Sequence, residues 1–120
     1  MTAHPPRPLR LYLSGPMTGL PDYNHPAFHA AAERLRARGY EVVNPAEFAP
    51  RHDAMRWSDW MRLGLEALAQ CDGVVALPGW QDSNGARLEV GVAARALEAP
   101  VHDEDYWHVP GLTLQPSYIR

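Results

Sequence analysis

Short apolar segments alternate with segments of helical periodicity along this chain, and this alternation constrains the fold more than any other feature. Residues 9–13, 40–44 and 73–77 each have the length and apolar content of a buried strand, and residues 101–102 begin a fourth, edge-like strand. The intervening segments repeat apolar residues every three or four positions, which is typical of helices with one buried face. The predicted helices cover residues 27–38, 58–70 and 85–97.

Strands that alternate with helices form βαβ units around a parallel sheet. Right-handed crossovers then place helices on both faces of that sheet. The sequence therefore predicts one doubly wound α/β domain over residues 9–104, with a four- or five-stranded parallel sheet. Residues 1–8 are rich in proline and are predicted to be flexible. Residues 105–120 contain six large apolar or aromatic side chains, so we expect this tail to dock on the domain or on a partner subunit.

Composition excludes several functional classes. The net charge is −3, which argues against a protein that neutralises nucleic-acid backbones. All 11 basic residues are arginines, so no lysine can serve as a Walker-type, Schiff-base or general-base residue. The single cysteine, Cys71, fits a reducing, cytoplasmic environment. The first ten residues lack the apolar run of a signal peptide, and no segment has the length of a membrane span.

One carboxylate, Glu89, lies in the predicted third helix on a face of small residues. The positions one turn away on that face are occupied by glycine, alanine and valine. Small neighbours leave space in front of the carboxylate, which a ligand or a packed backbone has to fill. Because burial of an unpaired carboxylate costs several kcal/mol (order of magnitude), we interpret Glu89 as paired or catalytic. Such a carboxylate can attack the anomeric carbon of a sugar. A first-turn glutamate that only favours the helix dipole is the alternative.

Two glycine-containing turns, residues 14–19 and 83–85, each lead from a strand into a helix. Ligands bind at the carboxyl ends of the strands in such sheets, so both turns and Asn44 are expected at the binding edge. Backbone N–H groups at these turns can hold an anion, although ordinary tight turns would look the same. Trp80 follows a Pro-Gly pair at this edge and is a candidate for stacking on a nucleobase, or for an interface.

Other polar residues are weaker candidates. Tyr12 can hold Glu89 by a hydrogen bond or simply pack in its strand. Asp72 precedes the third strand at the opposite end of the sheet and is predicted to be structural. His25 and His29, and a second cluster at residues 102–108, have incomplete metal-ligand spacing, so we predict no metal and no cofactor.

The segments LYLSGPMTG (11–19) and DGVVALPGW (72–80), with the spacing Ser83, Gly85, Glu89 and Gly91, resemble the nucleoside 2-deoxyribosyltransferase superfamily. The similarity covers residues 9 to about 103 and is closest to the small, phage- or prophage-associated members of uncharacterised function. It implies a flavodoxin-like or Rossmann-like three-layer fold and a homo-oligomer. It also implies cleavage or exchange of the base of a (deoxy)nucleoside or its 5′-monophosphate.

The resemblance also assigns roles to residues. Glu89 would be the nucleophile and Tyr12 would orient it. The superfamily has an acid that protonates the leaving base; Gly64 falls at that position here, and Asp59, about a turn earlier, is the predicted replacement, with Glu66 as the other choice. The residues around the sugar and phosphate would be Gly15, Met17, Thr18, Gly19, Ser83 and Gly85, with Trp80 near the base.

Three alternatives remain open at the level of sequence. A nucleotide-sensing module would keep the pocket without turnover, which the glycine at position 64 favours. An NAD hydrolase of the Toll/interleukin-receptor type also uses a helix-borne glutamate on a related sheet. An interaction domain would use the small-residue face to pack another helix. Direct action on nucleic acid is the least favoured, because the chain has no basic stripe.

Overall fold

The computed structural model describes residues 3–112 and 114–118 of the chain, and the side chains of residues 7–112. The strands are β1 (Ala3–Pro8), β2 (Arg10–Ser14), β3 (Glu41–Val43), β4 (Gly73–Ala76), β5 (Val101–His102) and β6 (Leu114–Tyr118). The helices are α1 (His25–Ala37), α2 (Trp57–Leu68), α3 (Asn84–Gly91) and α4 (Glu104–Trp107). One π-helical turn, Val92–Ala96, continues α3.

Strands β2 to β5 form a parallel sheet in the order β3-β2-β4-β5. When these four strands are renumbered 1 to 4 in chain order, the order across the sheet is 2-1-3-4, which is the flavodoxin-like arrangement. The register pairs Tyr12 with Val43 on one side and with Val74 on the other. The predicted α/β class and parallel sheet are therefore confirmed, with four strands. In this strand order the switch point, where ligands bind, lies between the carboxyl ends of β2 and β4.

Alternate residues of β2 point to opposite faces of the sheet and build two separate cores. Leu11 and Leu13 pack with apolar residues of α1 and with Trp107 of α4 on one face. Tyr12 packs with Leu68 at the end of α2 and Ala93 beyond α3 on the other face. Helices thus cover both faces, which gives the three layers that the alternation of elements predicts. The tyrosine on the α2–α3 face is the residue that connects this core to Glu89.

The two ends of the chain pair with each other, which the sequence did not predict. Residues 1–8 were predicted to be flexible, but β1 pairs antiparallel with β6, from Ala3 opposite Tyr118 to Pro8 opposite Leu114. Arg7 then ties this ribbon to the domain through two hydrogen bonds to the Asp72 carboxylate, at 2.7 and 2.8 Å. Local sequence patterns miss such pairing because it joins segments more than 100 residues apart. The described residues of this segment are therefore paired in a strand, and the flexibility of the segment stays a prediction.

The first part of the tail after β5, helix α4, docks on its own domain, one of the two places expected for the tail. Trp107 is 3% exposed, and its indole N–H donates to the carbonyl of Val74 at 3.1 Å. The indole lies against Gly73, where a Cβ atom would come within 2.7 Å of the ring. The tail therefore completes the core beside β4. Within the ranges that the structure describes, no helix has the length and apolarity that crossing a bilayer requires.

Candidate active site

Glu89 lies in α3 with its carboxylate at the carboxyl end of β2, next to the switch point. Its Oε2 accepts a hydrogen bond from the Tyr12 hydroxyl at 2.6 Å, and its Oε1 accepts one from the Ser14 hydroxyl at 2.8 Å. Tyr12 and Ser14 are two residues apart on β2, so their side chains leave the strand on the same face. Tyr12 and Ser14 are both 0% exposed and Glu89 is 9% exposed. The result is a buried acid that is hydrogen-bonded through both oxygens.

The surroundings of this carboxyl group raise its pKa above the ordinary glutamate value of 4.5. Loss of hydration is the largest cause, and the hydrogen bonds from Tyr12 and Ser14 act in the opposite direction by favouring the carboxylate. Burial, with the nearby Glu89 charge second, also raises the pKa of the Tyr12 phenol, which therefore stays protonated and remains a donor. A buried carboxyl group with two hydroxyl donors and a shifted pKa is characteristic of functional sites.

The space in front of Glu89 is occupied by helix α2 of the same chain. Gly64 approaches so closely that a Cβ atom there would lie 2.7 Å from Glu89 Oε2 and 2.8 Å from the Tyr12 hydroxyl oxygen. Gly85 faces the same helix, since a Cβ atom there would lie 3.3 Å from Met61 Sδ. The small residues of α3 thus allow close helix packing. Of the two candidates for that space, a ligand and a backbone, the structure places a backbone there.

The loop after β2, which contains the first glycine-containing turn, packs against the loop after β4. A Cβ atom on Gly15 would lie 2.8 Å from the Cβ of Leu77, and one on Gly79 would lie 3.3 Å from the ring of Pro16. Gly79 also has a φ of +86°, which a residue with a side chain adopts at a cost. Glycine is therefore required at both positions for the loops after β2 and β4 to pack against each other.

Predicted phosphate-contacting residues take up different positions. The Ser83 hydroxyl caps α3 by accepting the N–H of Ala86 at 3.2 Å. Met17 is half-buried and packs against the core under α1. Thr18 and Gly19 are exposed, and a Cβ atom added at Gly19 would have no neighbour within 4 Å. Gly85 packs against α2. Ser83 and Gly85 therefore have structural contacts of their own, and Gly15, Thr18 and Gly19 form the rim of the loop after β2.

Trp80 separates two surface cavities. One, of about 820 Å³, lies at the carboxyl ends of β4 and β5, and its wall includes Asn24, Arg34 and Gln81. The other, of about 620 Å³, lies over the outer face of α3, and Trp57 contributes to its wall together with Trp80. Glu89 lines neither of these two cavities. Trp80 is at the binding edge as predicted, yet the structure does not place it against the carboxylate.

The geometry disagrees with the prediction that Asp59 donates a proton. Asp59 Oδ2 accepts the backbone N–H of Arg56 at 2.9 Å, and Oδ1 accepts from Arg62 at 3.0 Å. The bond from the Arg56 backbone is the largest of several interactions that lower the pKa of Asp59, and a proton donor needs the opposite shift. Glu66, the other choice, is exposed and pairs with Arg51, which lowers its pKa as well. Both side chains instead stabilise α2 and its preceding loop.

The remaining polar candidates have structural roles. Asp72 also accepts the backbone N–H of Arg10 at 2.8 Å, as expected of a structural residue. Asn44 is 2% exposed and caps a turn through the N–H of Ala46. Among the residues that the structure describes, no group of three or more His, Cys, Asp or Glu side chains has the arrangement of a metal site.

Sequence analysis missed two residues of the site. Ser14 was assigned to an anion-binding turn, and its position two residues after Tyr12 is the signal that could have placed it beside Glu89. Gly64 was considered only as a lost acid, whereas its role is to make room for the carboxylate. No local pattern gives that role, because it depends on how α2 packs against α3.

The strand order and the buried acid at the switch point define a flavodoxin-like α/β domain with a candidate catalytic carboxylate. Residues 9–102 match the model of the family described as a domain of unknown function (DUF4406). The chain therefore belongs to this family. A search of curated proteins gives no match.

Proposed function

We propose that the protein cleaves the N-glycosidic bond of a (deoxy)nucleoside or its 5′-monophosphate, with Glu89 as the nucleophile. The single observation that supports this most is the Glu89 carboxylate itself, which is buried at the switch point and held by Tyr12 and Ser14. Burial without an ionic partner is costly, so such an acid is retained for a use rather than for stability. The resemblance of residues 11–19 and of the Ser83–Glu89 spacing supports the same reaction.

The reaction would proceed by double displacement with retention at the anomeric carbon. An oxygen of ionised Glu89 attacks C1′ and forms a C–O bond, while the C1′–N bond breaks and its electron pair leaves with the base. The base takes a proton from solvent, because Asp59 and Glu66 are both engaged by arginines. Water, or an incoming base in an exchange reaction, then attacks C1′. This step breaks the bond between C1′ and the Glu89 oxygen and regenerates the Glu89 carboxylate. When water is the acceptor, it loses one proton in this step.

Tyr12 and Ser14 would act as positioning residues in this sequence. Their hydroxyl groups hold the carboxylate in place and favour its ionised form, which acts against the effect of burial. The remaining lone pairs of the carboxylate stay available, because each oxygen accepts one of these hydrogen bonds and has capacity for a second. A sugar must approach Glu89 through the small part of its surface that is exposed.

The test is incubation with deoxynucleosides, their 5′-monophosphates and NAD, followed by chromatography of the released base. We expect free base from at least one member of the panel, and loss of roughly 10³-fold or more of that activity in Glu89→Gln, since a covalent nucleophile is removed. Glu66→Gln is the matched control, because it makes the same change at an exposed glutamate on α2. Release of nicotinamide from NAD alone would identify the NAD-hydrolase alternative. Equal activity of Glu89→Gln and wild type would exclude Glu89 as the nucleophile.

A second candidate function is nucleotide binding without turnover. It is favoured by the contact of Gly64 with Glu89 and by the ion pairs of Asp59, which together leave the predicted proton donor out of place. Calorimetry distinguishes this candidate, since it predicts saturable binding of a nucleotide with no base released over long incubation.

A further inference from the structure

The cavity of about 620 Å³ on the outer face of α3 has a composition that sets it apart from the rest of the surface. Two indole rings line it: Trp57 at the start of α2, which is 51% exposed, and Trp80 in the loop that precedes α3. Arg87 and Arg95 contribute two guanidinium groups, and no acidic residue lines this cavity. The cavity has the size of a small-molecule site. We refer to it as the α3 groove.

The two arginines of the α3 groove differ from the other arginines in their pairing. Seven arginines elsewhere each lie within 4 Å of a carboxylate oxygen, as Arg34 does with Glu104. Within residues 3–112 and 114–118, Arg87 and Arg95 form no ion pair. Their charges are therefore available to a ligand, unlike those of the seven paired arginines. An arginine fork binds phosphate or carboxylate oxygens in pairs.

The α3 groove is separate from the Glu89 site. Arg87 is two residues from Glu89, which places the two side chains about 200° apart around the helix axis. Arg95 reaches back across Gly91, where a Cβ atom would lie 3.3 Å from its guanidinium nitrogen. The missing side chain at position 91 therefore lets the guanidinium lie close to the helix, where it lines the groove. Any ligand held here would contact the outer face of α3, while Glu89 faces the sheet.

We propose that the α3 groove is a second binding site, for a small ligand that carries an aromatic ring and a phosphate. An indole offers a flat surface on which a base or similar ring stacks, worth about 1–3 kcal/mol per base. The arginines bind the phosphate. A nucleoside monophosphate is the simplest ligand of this class. The proposal is independent of whether Glu89 cleaves anything, because it uses none of the residues around that carboxylate.

Tryptophan fluorescence and calorimetry with AMP test the proposal. We expect AMP to quench the fluorescence, and adenosine and inorganic phosphate to bind roughly tenfold or more weakly, since each lacks one of the two recognised groups. The double variant Arg87→Gln/Arg95→Gln should weaken AMP binding by a similar factor. Arg51→Gln/Arg62→Gln is the matched control, because these exposed arginines have carboxylate partners. The same loss of AMP affinity is expected when the Arg87/Arg95 double variant is made in a Glu89→Gln background, where AMP cannot be cleaved at Glu89.

Three results would overturn the proposal. In the first, the Arg87/Arg95 and Arg51/Arg62 double variants lose AMP affinity equally, which reduces the effect to net charge. In the second, Glu89→Gln abolishes AMP binding, which places the nucleotide at the candidate active site and leaves the proposed function standing. In the third, AMP does not bind, and sedimentation shows a dimer that the Arg87/Arg95 variant dissociates. The α3 groove would then be a contact between two copies of the chain.

Discussion

At the scale of single residues, Glu89 has an energetic cost that its structural neighbours do not remove. Its pKa is raised in the folded protein, chiefly by loss of hydration, so the folded state holds this proton more tightly than the unfolded state does. The favourable contribution is then complete below about pH 4.5, the ordinary value, and is lost as pH rises through the raised pKa. Above the raised pKa, the ionised carboxylate therefore destabilises the fold relative to a neutral side chain.

We expect Glu89→Gln to be more stable than wild type at pH 8, by about 1–3 kcal/mol, the usual cost of an incompletely compensated buried polar group. The amide can accept from one hydroxyl group and donate to the other, so both hydrogen bonds survive. Thermal unfolding between pH 4 and pH 8 measures the effect, and the advantage of the variant should shrink toward acid pH. Glu66→Gln, at an exposed site, should show no such gain. A Glu89→Gln variant that melts below wild type at pH 8 would show that the carboxylate serves stability.

Gly64 gives a second prediction, because helices normally gain from replacing glycine with alanine. A methyl group at position 64 would collide with Glu89 Oε2 and the Tyr12 hydroxyl, at 2.7 and 2.8 Å. We expect Gly64→Ala to lose about 1–3 kcal/mol, as overpacked cores do, and to shift the pH dependence of any activity. Gly85→Ala is the control for stability: its new methyl group comes no closer than 3.3 Å to any neighbour, the nearest being Met61 Sδ, and the helix gains up to ~1 kcal/mol. Equal stabilisation by both substitutions in urea titrations would contradict the close contact.

At the scale of elements, α2 begins with a capping carboxylate rather than with a catalytic one. The lowered pKa of Asp59 means that its contribution is present above the ordinary value of 3.8 and is lost as pH falls through the lowered value. We expect Asp59→Asn to lower Tm slightly at pH 7 and not at pH 2, with kcat unchanged. A general acid would instead contribute roughly 10²–10⁴-fold to the rate. A loss of kcat of that size in Asp59→Asn, measured with any substrate found for the wild type, would show that Asp59 is the general acid.

The elements that sequence predicted correctly are those with a strong local signal. Helices α1 and α2 begin within two residues of the predicted positions; β3 and β4 fall within their predicted strands, and β2 ends one residue beyond its predicted end. α3 begins one residue before its predicted start, but its last turn winds as a π-helix, which periodicity does not reveal. The four-residue helix α4 and the β1–β6 ribbon were missed, because both depend on contacts with distant parts of the chain.

The candidate site follows the same division. Tyr12 and Glu89 meet as predicted, whereas the role of Gly64 depends on packing between two helices.

At the scale of the whole molecule, the segment that matches the family model and the folded core do not end at the same residue. The family match stops at residue 102, but Trp107 fills the core beside Gly73 and donates to Val74. The Tyr40 hydroxyl in turn donates to the backbone carbonyl of Trp107. The tail therefore supplies a buried side chain that the matched segment alone would lack.

We expect a chain that ends at His102 to be much less stable than one that ends at Leu112, although both contain the whole matched segment. Trp107→Ala should account for most of the difference, at about 3–5 kcal/mol, because it leaves a cavity against β4. Trp107→Phe keeps much of the ring volume and loses the N–H bond, so a smaller loss is expected. Urea unfolding of the four proteins gives these values. An equal urea midpoint for the chains that end at His102 and at Leu112 would show that the core is as stable without its tail as with it.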